Sequence, residues 1–146
     1  MGAFTFSLEQ VLCYRKQLEE QAMQAVALAV LERDKRSREK DELDALLAQS
    51  RQKLANPALL DADERWLITG YVSALIYDIE KAKQDLAVLE ERVDRARTVL
   101  IQKAQDKELL ERLKEKQANR HRLAENHKEQ QNYDDIATIR FMPPAV

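Results

Sequence analysis

The side chains best suited to chemistry in this sequence are two histidines and one cysteine. His121 and His127 are six positions apart, whereas paired metal ligands on one helix face are usually four apart. Cys13 lacks the histidine and asparagine partners of a cysteine nucleophile, and we interpret it as a small, half-buried hydrophobic residue. We therefore predict no catalytic residues, no cofactor-binding residues and no metal site, and a protein that is not an enzyme.

Charged side chains offer a second kind of chemistry, the binding of anions or of nucleic acid. The chain has only two glycines, too few to build a glycine-rich phosphate loop. Its two basic stretches, 33–40 and 112–122, lack the interleaved aromatic residues of a nucleic-acid surface. We interpret the first stretch as a solvated helix face and the second as a protein contact, with no nucleic-acid partner.

The composition indicates long helices rather than a globular core. Charged residues make up 34% of the 146 positions, aromatic residues only 5%, and the net charge is −2. This profile is typical of a coiled coil. The single cysteine allows no internal disulfide, and the longest apolar run, residues 25–31, is far shorter than the roughly 20 residues of a membrane span. With no basic, signal-like N-terminus, we expect a cytoplasmic protein without direct membrane insertion.

The clearest pattern that could position any site is a heptad seam in the second half of the chain. Residues spaced alternately four and three positions apart form an almost unbroken apolar series: Ile68, Val72, Leu75, Ile79, Ala82, Leu86, Leu89, Val93, Ala96, Leu100, Lys103, Lys107 and Leu110.

A second seam precedes it, in a helix that we predict over about residues 7–55 with Ser7 as the N-cap. Its predicted members are Leu8, Val11, Arg15, Leu18, Ala22, Ala25, Ala29, Glu32, Arg36, Glu39, Leu43, Leu46 and Ser50.

The connection between the two helices predicts how they pair. Asn56-Pro57 ends the first helix, and Asp61 caps the second, which we predict over about 62–135. So short a connection requires antiparallel neighbours. The predicted fold is therefore all-α, a long antiparallel two-helix coiled-coil hairpin that forms a single domain over 1–146. Folding at residue 59 places Leu8 opposite Leu110, and leaves a C-terminal overhang from about residue 111.

Bulky residues gather near the predicted turn. Trp66, Tyr71 and Tyr77 lie near Leu59 and Leu67, either as an apolar cap on the hairpin tip or as a docking patch. Gly70 costs about 1 kcal/mol in a helix relative to alanine, so it indicates close packing or a contact surface.

Several short motifs resemble the FliJ family, a component of the bacterial flagellar type III export apparatus. They are Phe4-x-Phe6-x-Leu8-Glu9-x-Val11-Leu12-x-Tyr14-Arg15, Tyr71, Val93-x-x-Ala96-Arg97-x-x-Leu100, the run 110–116 and the ending 129–137. The family more often has Asp-Glu in that ending.

The resemblance implies a stalk-like protein similar to the central subunit of rotary F- and V-type ATPases. Family members bind in the pore of the hexameric export ATPase and promote its assembly. They also contact the cytoplasmic part of the export gate membrane protein and help cycle export chaperones. The implied location is cytoplasmic, peripherally associated with the inner membrane at the export apparatus, and we expect a monomer when the protein is isolated.

From this resemblance we place two partner-binding sites as hypotheses. The export-ATPase contact comprises Leu110, Arg112, Lys114 and Lys116, and the export-gate contact comprises Leu47, Tyr71, Leu75 and Ile76.

Two alternatives stay open at this point. One is a homologous stalk from an injectisome. The other is a generic structural coiled-coil adaptor that dimerises through the apolar residues Val26, Leu28 and Val30.

Overall fold

The computed structural model describes residues 2–56, 58 and 60–141. It contains two helices, α1 (Glu9–Leu54) and α2 (Ala62–Arg140), which pack against each other as an antiparallel coiled-coil hairpin. The predicted all-α fold is thus confirmed, with α2 ending at Arg140 rather than near residue 135. The proposed helix stop at Pro57, the tip residue Leu59 and the tail after Phe141 lie outside the described residues.

The hairpin divides into two compact units. The terminal unit contains residues 1–19 and 102–146, and the loop unit contains residues 20–101. In the terminal unit, Glu9 pairs with Lys114 and Glu19 with Lys107. Because the α2 partner moves backwards as α1 advances, the two helices of this unit are antiparallel.

The loop unit shows the same order in its own ion pairs. Glu32 lies beside Arg92, and Arg36 lies beside Asp85. The helices of this unit are therefore antiparallel as well.

The helix starts follow the sequence signals only in part. The Glu64 backbone N–H donates to Asp61 Oδ1 at 2.7 Å, which confirms Asp61 as the N-cap of α2. Ser7 lies in a turn, because α1 begins at Glu9 with the bond from Leu12 N–H to Leu8 O at 2.9 Å. The prediction that Ser7 caps α1 was wrong.

The α2 seam is confirmed along its whole predicted length. Each of its positions from Ile68 to Leu110 is buried or half-buried. Ala82 and Val93 are completely buried, and Leu75 and Ile79 nearly so. The 3.5-residue repeat alone therefore identified the face of α2 that packs against α1.

The α1 seam was only half right. Ala22, Ala29 and Arg36 face α2 as predicted, but the positions between them are displaced by one residue. Val26 and Arg33 turn inwards, whereas Ala25 and Glu32 are exposed. The observed seam reads Leu12, Arg15, Glu19, Ala22, Val26, Ala29, Arg33, Arg36, Lys40, Leu43, Leu47, Ser50 and Leu54.

This phase removes the surface that we considered for dimerisation. Val26 and Val30 are half-buried within the hairpin. Leu28 alone of the three is exposed. An adaptor that dimerises through all three residues is therefore not compatible with the fold.

The register also differs from the prediction by about one helical turn. Leu12, not Leu8, packs with Leu110, and Leu8 is exposed. In the loop unit, Arg36 reaches Asp85, where a fold at residue 59 would pair it with Ala82. In the observed register the Arg36 guanidinium meets the Asp85 carboxylate at 3.1 Å, a charge pair that the predicted register does not provide.

Gly70 does not mark a close approach within the chain, because a Cβ built there meets no atom within 4 Å. We expect Gly70→Ala to raise the free energy of unfolding by about 0.5–1 kcal/mol, since alanine loses less backbone entropy in a helix. Urea unfolding followed by far-UV circular dichroism measures the change. Ala74→Gly, at another exposed α2 position, is the control and should lose a similar amount. If Gly70→Ala is less stable than the parent, the conclusion that a Cβ at position 70 meets no neighbouring atom is wrong.

Within the residues that the structure describes, neither helix has a stretch long and apolar enough to cross a membrane.

Candidate partner-binding surfaces

The terminal unit is built on a small apolar cluster. Phe6, Leu12 and Leu110 are buried together, and Phe4 packs against them. The Phe4 ring lies 5.7 Å from the His121 imidazole, measured between ring centroids. Residues ahead of α1 therefore cover α2 from Leu110 to His121.

Because of this packing, two of the four residues predicted to bind the export ATPase are engaged within the chain and two are exposed. Leu110 is only 7% exposed, so it belongs to the core. Lys114 Nζ is 2.8 Å from Glu9 Oε2, and Arg112 Nη2 is 2.7 Å from Glu108 Oε1 on the surface. Arg112 and Lys116 are the two members that the structure leaves exposed.

The part of α2 that follows Leu110 has two sections with different exposure. Lys114, Gln117, His121 and Glu125 are half-buried, whereas every described residue from 126 to 141 is exposed. The exposed section carries four large apolar or aromatic side chains: Tyr133, Ile136, Ile139 and Phe141.

The predicted gate-binding residues of the loop unit do not form one surface. Leu75 is 3% exposed and Leu47 is half-buried in the seam. Tyr71 and Ile76 are exposed, but five residues of helix turn their side chains by about 140°. They therefore lie on opposite flanks of the seam.

A different aromatic surface lies on the outer face of α2. Trp66 and Tyr77 are 76% and 71% exposed, and a shallow groove beside Trp66 is lined by Gly70 and Ser73. The spacing 66, 70, 73 and 77 keeps these residues on one helix face. This exposure rules out Trp66 as part of a buried apolar cap. The heptad spacing that identified the seam could also have placed Trp66 on the opposite face of α2.

The first basic stretch is only in part the solvated face that we predicted, because Lys35 and Arg38 are exposed whereas Arg33, Arg36 and Lys40 are half-buried. Arg36 donates to Glu39 at 2.8 Å and to Asp85 of α2 at 3.1 Å. The hydrogen bond with Glu39 raises the pKa of Arg36, against the opposing effect of partial burial. Arg36 therefore stays charged while its alkyl stem covers apolar α2 surface.

A similar polar layer lies in the terminal unit. Lys107 Nζ is 2.9 Å from Glu19 Oε2, and this close ion pair raises the pKa of Lys107. The Arg15 guanidinium donates to the Asp106 carbonyl at 2.7 Å. Such paired charges within a seam favour one register over its neighbours.

The residues first considered for chemistry lie apart from these surfaces. Cys13 is exposed rather than half-buried as expected. Among the residues described, no group of three or more histidine, cysteine or acidic side chains is arranged to hold a metal ion. The arrangement offers contact surfaces: a basic face, an outer aromatic face and an exposed helix end.

Comparison with known proteins supports a specific family. The family model described as Flagellar FliJ protein matches residues 4–145. A solved structure from Chlamydia trachomatis, of a protein described as a YscO homologue, is similar with a TM-score of 0.51 and 17% sequence identity, and 94% of each chain is covered. This second likeness shows the shared fold. No curated protein matches the sequence significantly.

Proposed function

Because the chain belongs to the FliJ family of flagellar proteins, we propose that it is a stalk-like component of the type III export apparatus. In this role the hairpin binds in the pore of the hexameric export ATPase and promotes assembly of the ring. It also couples the ATPase to the export gate and helps cycle export chaperones. Its place is the cytoplasmic side of the inner membrane.

The observation that carries this proposal is the antiparallel packing of two long helices in both units. α1 is 46 residues long and α2 is 79, and each unit closes α1 against α2 through its own seam. Two helices that pack in this way resist bending better than one helix alone, as a stalk requires. The exposed end of α2 together with Phe141, residues 126–141, provides additional contact surface.

Charge supports an ATPase contact in the terminal unit. Arg112, Lys116 and Arg120 are exposed and lie four residues apart, so they form one row along α2. A row of cations fits an acidic surface on the partner and accelerates encounter with it. Leu110, by contrast, is buried on the opposite side of α2, because two residues of helix turn its side chain by about 200° from that of Arg112.

Co-purification with the hexameric export ATPase is the decisive experiment. We expect the full chain to bind the ATPase, to increase the fraction of hexamer and to stimulate ATP hydrolysis. Parallel incubation with an injectisome ATPase separates the flagellar role from the injectisome alternative. If neither ATPase is bound or stimulated, the stalk function is wrong.

The proposed export-gate contact has to include fewer residues than the sequence predicted. Of its four predicted residues, Tyr71 and Ile76 are exposed, but on opposite flanks. We propose that the flank with Tyr71 binds the gate, because an exposed tyrosine supplies a large contact area with little loss of side-chain entropy.

Tyr71→Ala should therefore weaken binding to the cytoplasmic part of the gate by about tenfold, or about 1.4 kcal/mol. Isothermal titration calorimetry with the purified gate domain measures the change. Ile76→Ala removes a comparably exposed side chain from the other flank and should bind like the parent. If only Ile76→Ala weakens binding, the assignment of the flank is reversed.

A further inference from the structure

The segment ahead of α1, residues 2–8, is fastened to α2 by phenylalanine side chains. Residues 2–6 are not helical, and Thr5 is exposed between two inward-facing phenylalanines. In an extended chain, side chains two positions apart lie on the same side. Phe6 is thus buried with Leu12 and Leu110, and Phe4 reaches His121. We call residues 2–8 the strap.

The strap is attached to α2 by apolar contacts of its phenylalanine side chains, which can separate without unfolding the helices. The non-helical bond from Glu9 N–H to Phe6 O, at 3.2 Å, joins the strap to α1 and not to α2. The apolar burial of two phenylalanines is of the same order as the conformational entropy lost when a short segment is ordered. The loss of one phenylalanine anchor is therefore expected to shift the strap towards the open state.

The closed strap covers the side of α2 that carries Leu110, which faces away from the cationic row. Phe6 lies against Leu110 in the buried cluster, and Glu9, next to the strap, holds Lys114 at 2.8 Å. Two of the four predicted contact residues are thus already engaged within the chain. A partner that uses the apolar part of this surface has to displace the strap.

We propose that the strap is a reversible cover for the Leu110 side of α2, and that the ATPase, whose pore would surround both sides of the helix, selects the strap-open form. This inference rests on the proposed ATPase-binding function. When the strap is closed, Leu110 is covered, and the ATPase first meets the exposed cationic row of Arg112 and Lys116. Opening adds the apolar surface around Leu110, so that binding becomes tight only after the strap has moved.

The test uses the full chain with Phe6→Ala, which removes the anchor of the strap but keeps Phe4. The NMR signals of the His121 ring report closure, because the nearby Phe4 ring shifts them. His127 is exposed and serves as the internal reference. We expect the His121 signals to move in Phe6→Ala, and affinity for the ATPase to rise at least about threefold, since apparent affinity scales with the open fraction.

Thr5→Ala is the matched control and should leave both readouts unchanged. Phe4→Ala provides a second opening variant at a less buried position, in case the loss of Phe6 disturbs the terminal unit. If the His121 signals do not move in Phe6→Ala, the proposal that the strap covers this surface is wrong. It is also wrong if the signals move but the variant binds the ATPase equally or more weakly. If neither the parent nor any variant binds the ATPase, the stalk function itself fails, and the His121 signals still show whether the strap opens.

Discussion

Val93→Asp is expected to destabilise the hairpin by about 3 kcal/mol or more. Val93 is 0% exposed in the loop unit, and aspartate there buries a carboxylate without a partner. Unfolding free energies of small domains are only about 5–15 kcal/mol, so the loss is a large part of the total. Urea unfolding followed by circular dichroism, with hydrogen exchange to locate the loss, measures it.

Val88→Asp is the control for this prediction. Val88 lies in the same helix and the same unit but is 51% exposed. Valine and aspartate have similar helix propensities, so we expect a change within about 0.5 kcal/mol. Equal losses in the two variants would mean that the seam is not a dry core at Val93, and the coiled-coil interpretation of α2 would have to be revised.

Val93 also illustrates which part of the fold the sequence could predict. The α2 seam is apolar at nearly every position from Ile68 to Leu100, so the heptad spacing alone identified the buried face. Asp61 was recognisable for a similarly local reason, because a capping carboxylate bonds within its own first turn. Both features depend on neighbouring residues only.

The phase of α1 could not be obtained in the same way. Its middle section places Arg33 and Lys40 in the seam, and a hydrophobicity pattern assigns both residues to the surface. A long aliphatic stem lets such a residue lie in the seam while its charged group stays near the surface. There, Arg33 reaches Glu90 of α2 and Lys40 pairs with Asp44 of α1. Whether such a residue lies inside depends on the partner helix, which local spacing does not specify.

The candidate sites were predicted less well than the fold, for a related reason. Leu110 and Leu75 were chosen as contact residues although both also belong to the seam, and the structure buries them. Lys114 is engaged by Glu9, a contact set by the register, which differs by a turn from the predicted one. Arg112 and Tyr71, at positions outside the seam, are exposed as a binding role requires.

Reversing two charges of the cationic row should weaken ATPase binding by at least about tenfold, or about 1.4 kcal/mol. The variant is Arg112→Glu combined with Lys116→Glu. Arg112 pairs with Glu108 at the surface, and such exposed pairs contribute little to stability. The loss should therefore appear in binding, measured as the dissociation constant at low and high salt, while the unfolding transition hardly changes.

The matched control is Lys35→Glu combined with Arg38→Glu. These two cations are also exposed, but they lie on α1 in the loop unit, so the control changes the net charge equally without touching the row. We expect the control to bind nearly as the parent does, and its affinity to converge with that of the Arg112/Lys116 variant at high salt, where surface charges are screened. Equal weakening in both variants would indicate a nonspecific charge effect. Unchanged binding in the Arg112/Lys116 variant would remove the row from the interface and leave the surface under the strap and the exposed residues 126–141 as the surfaces that contact the ATPase.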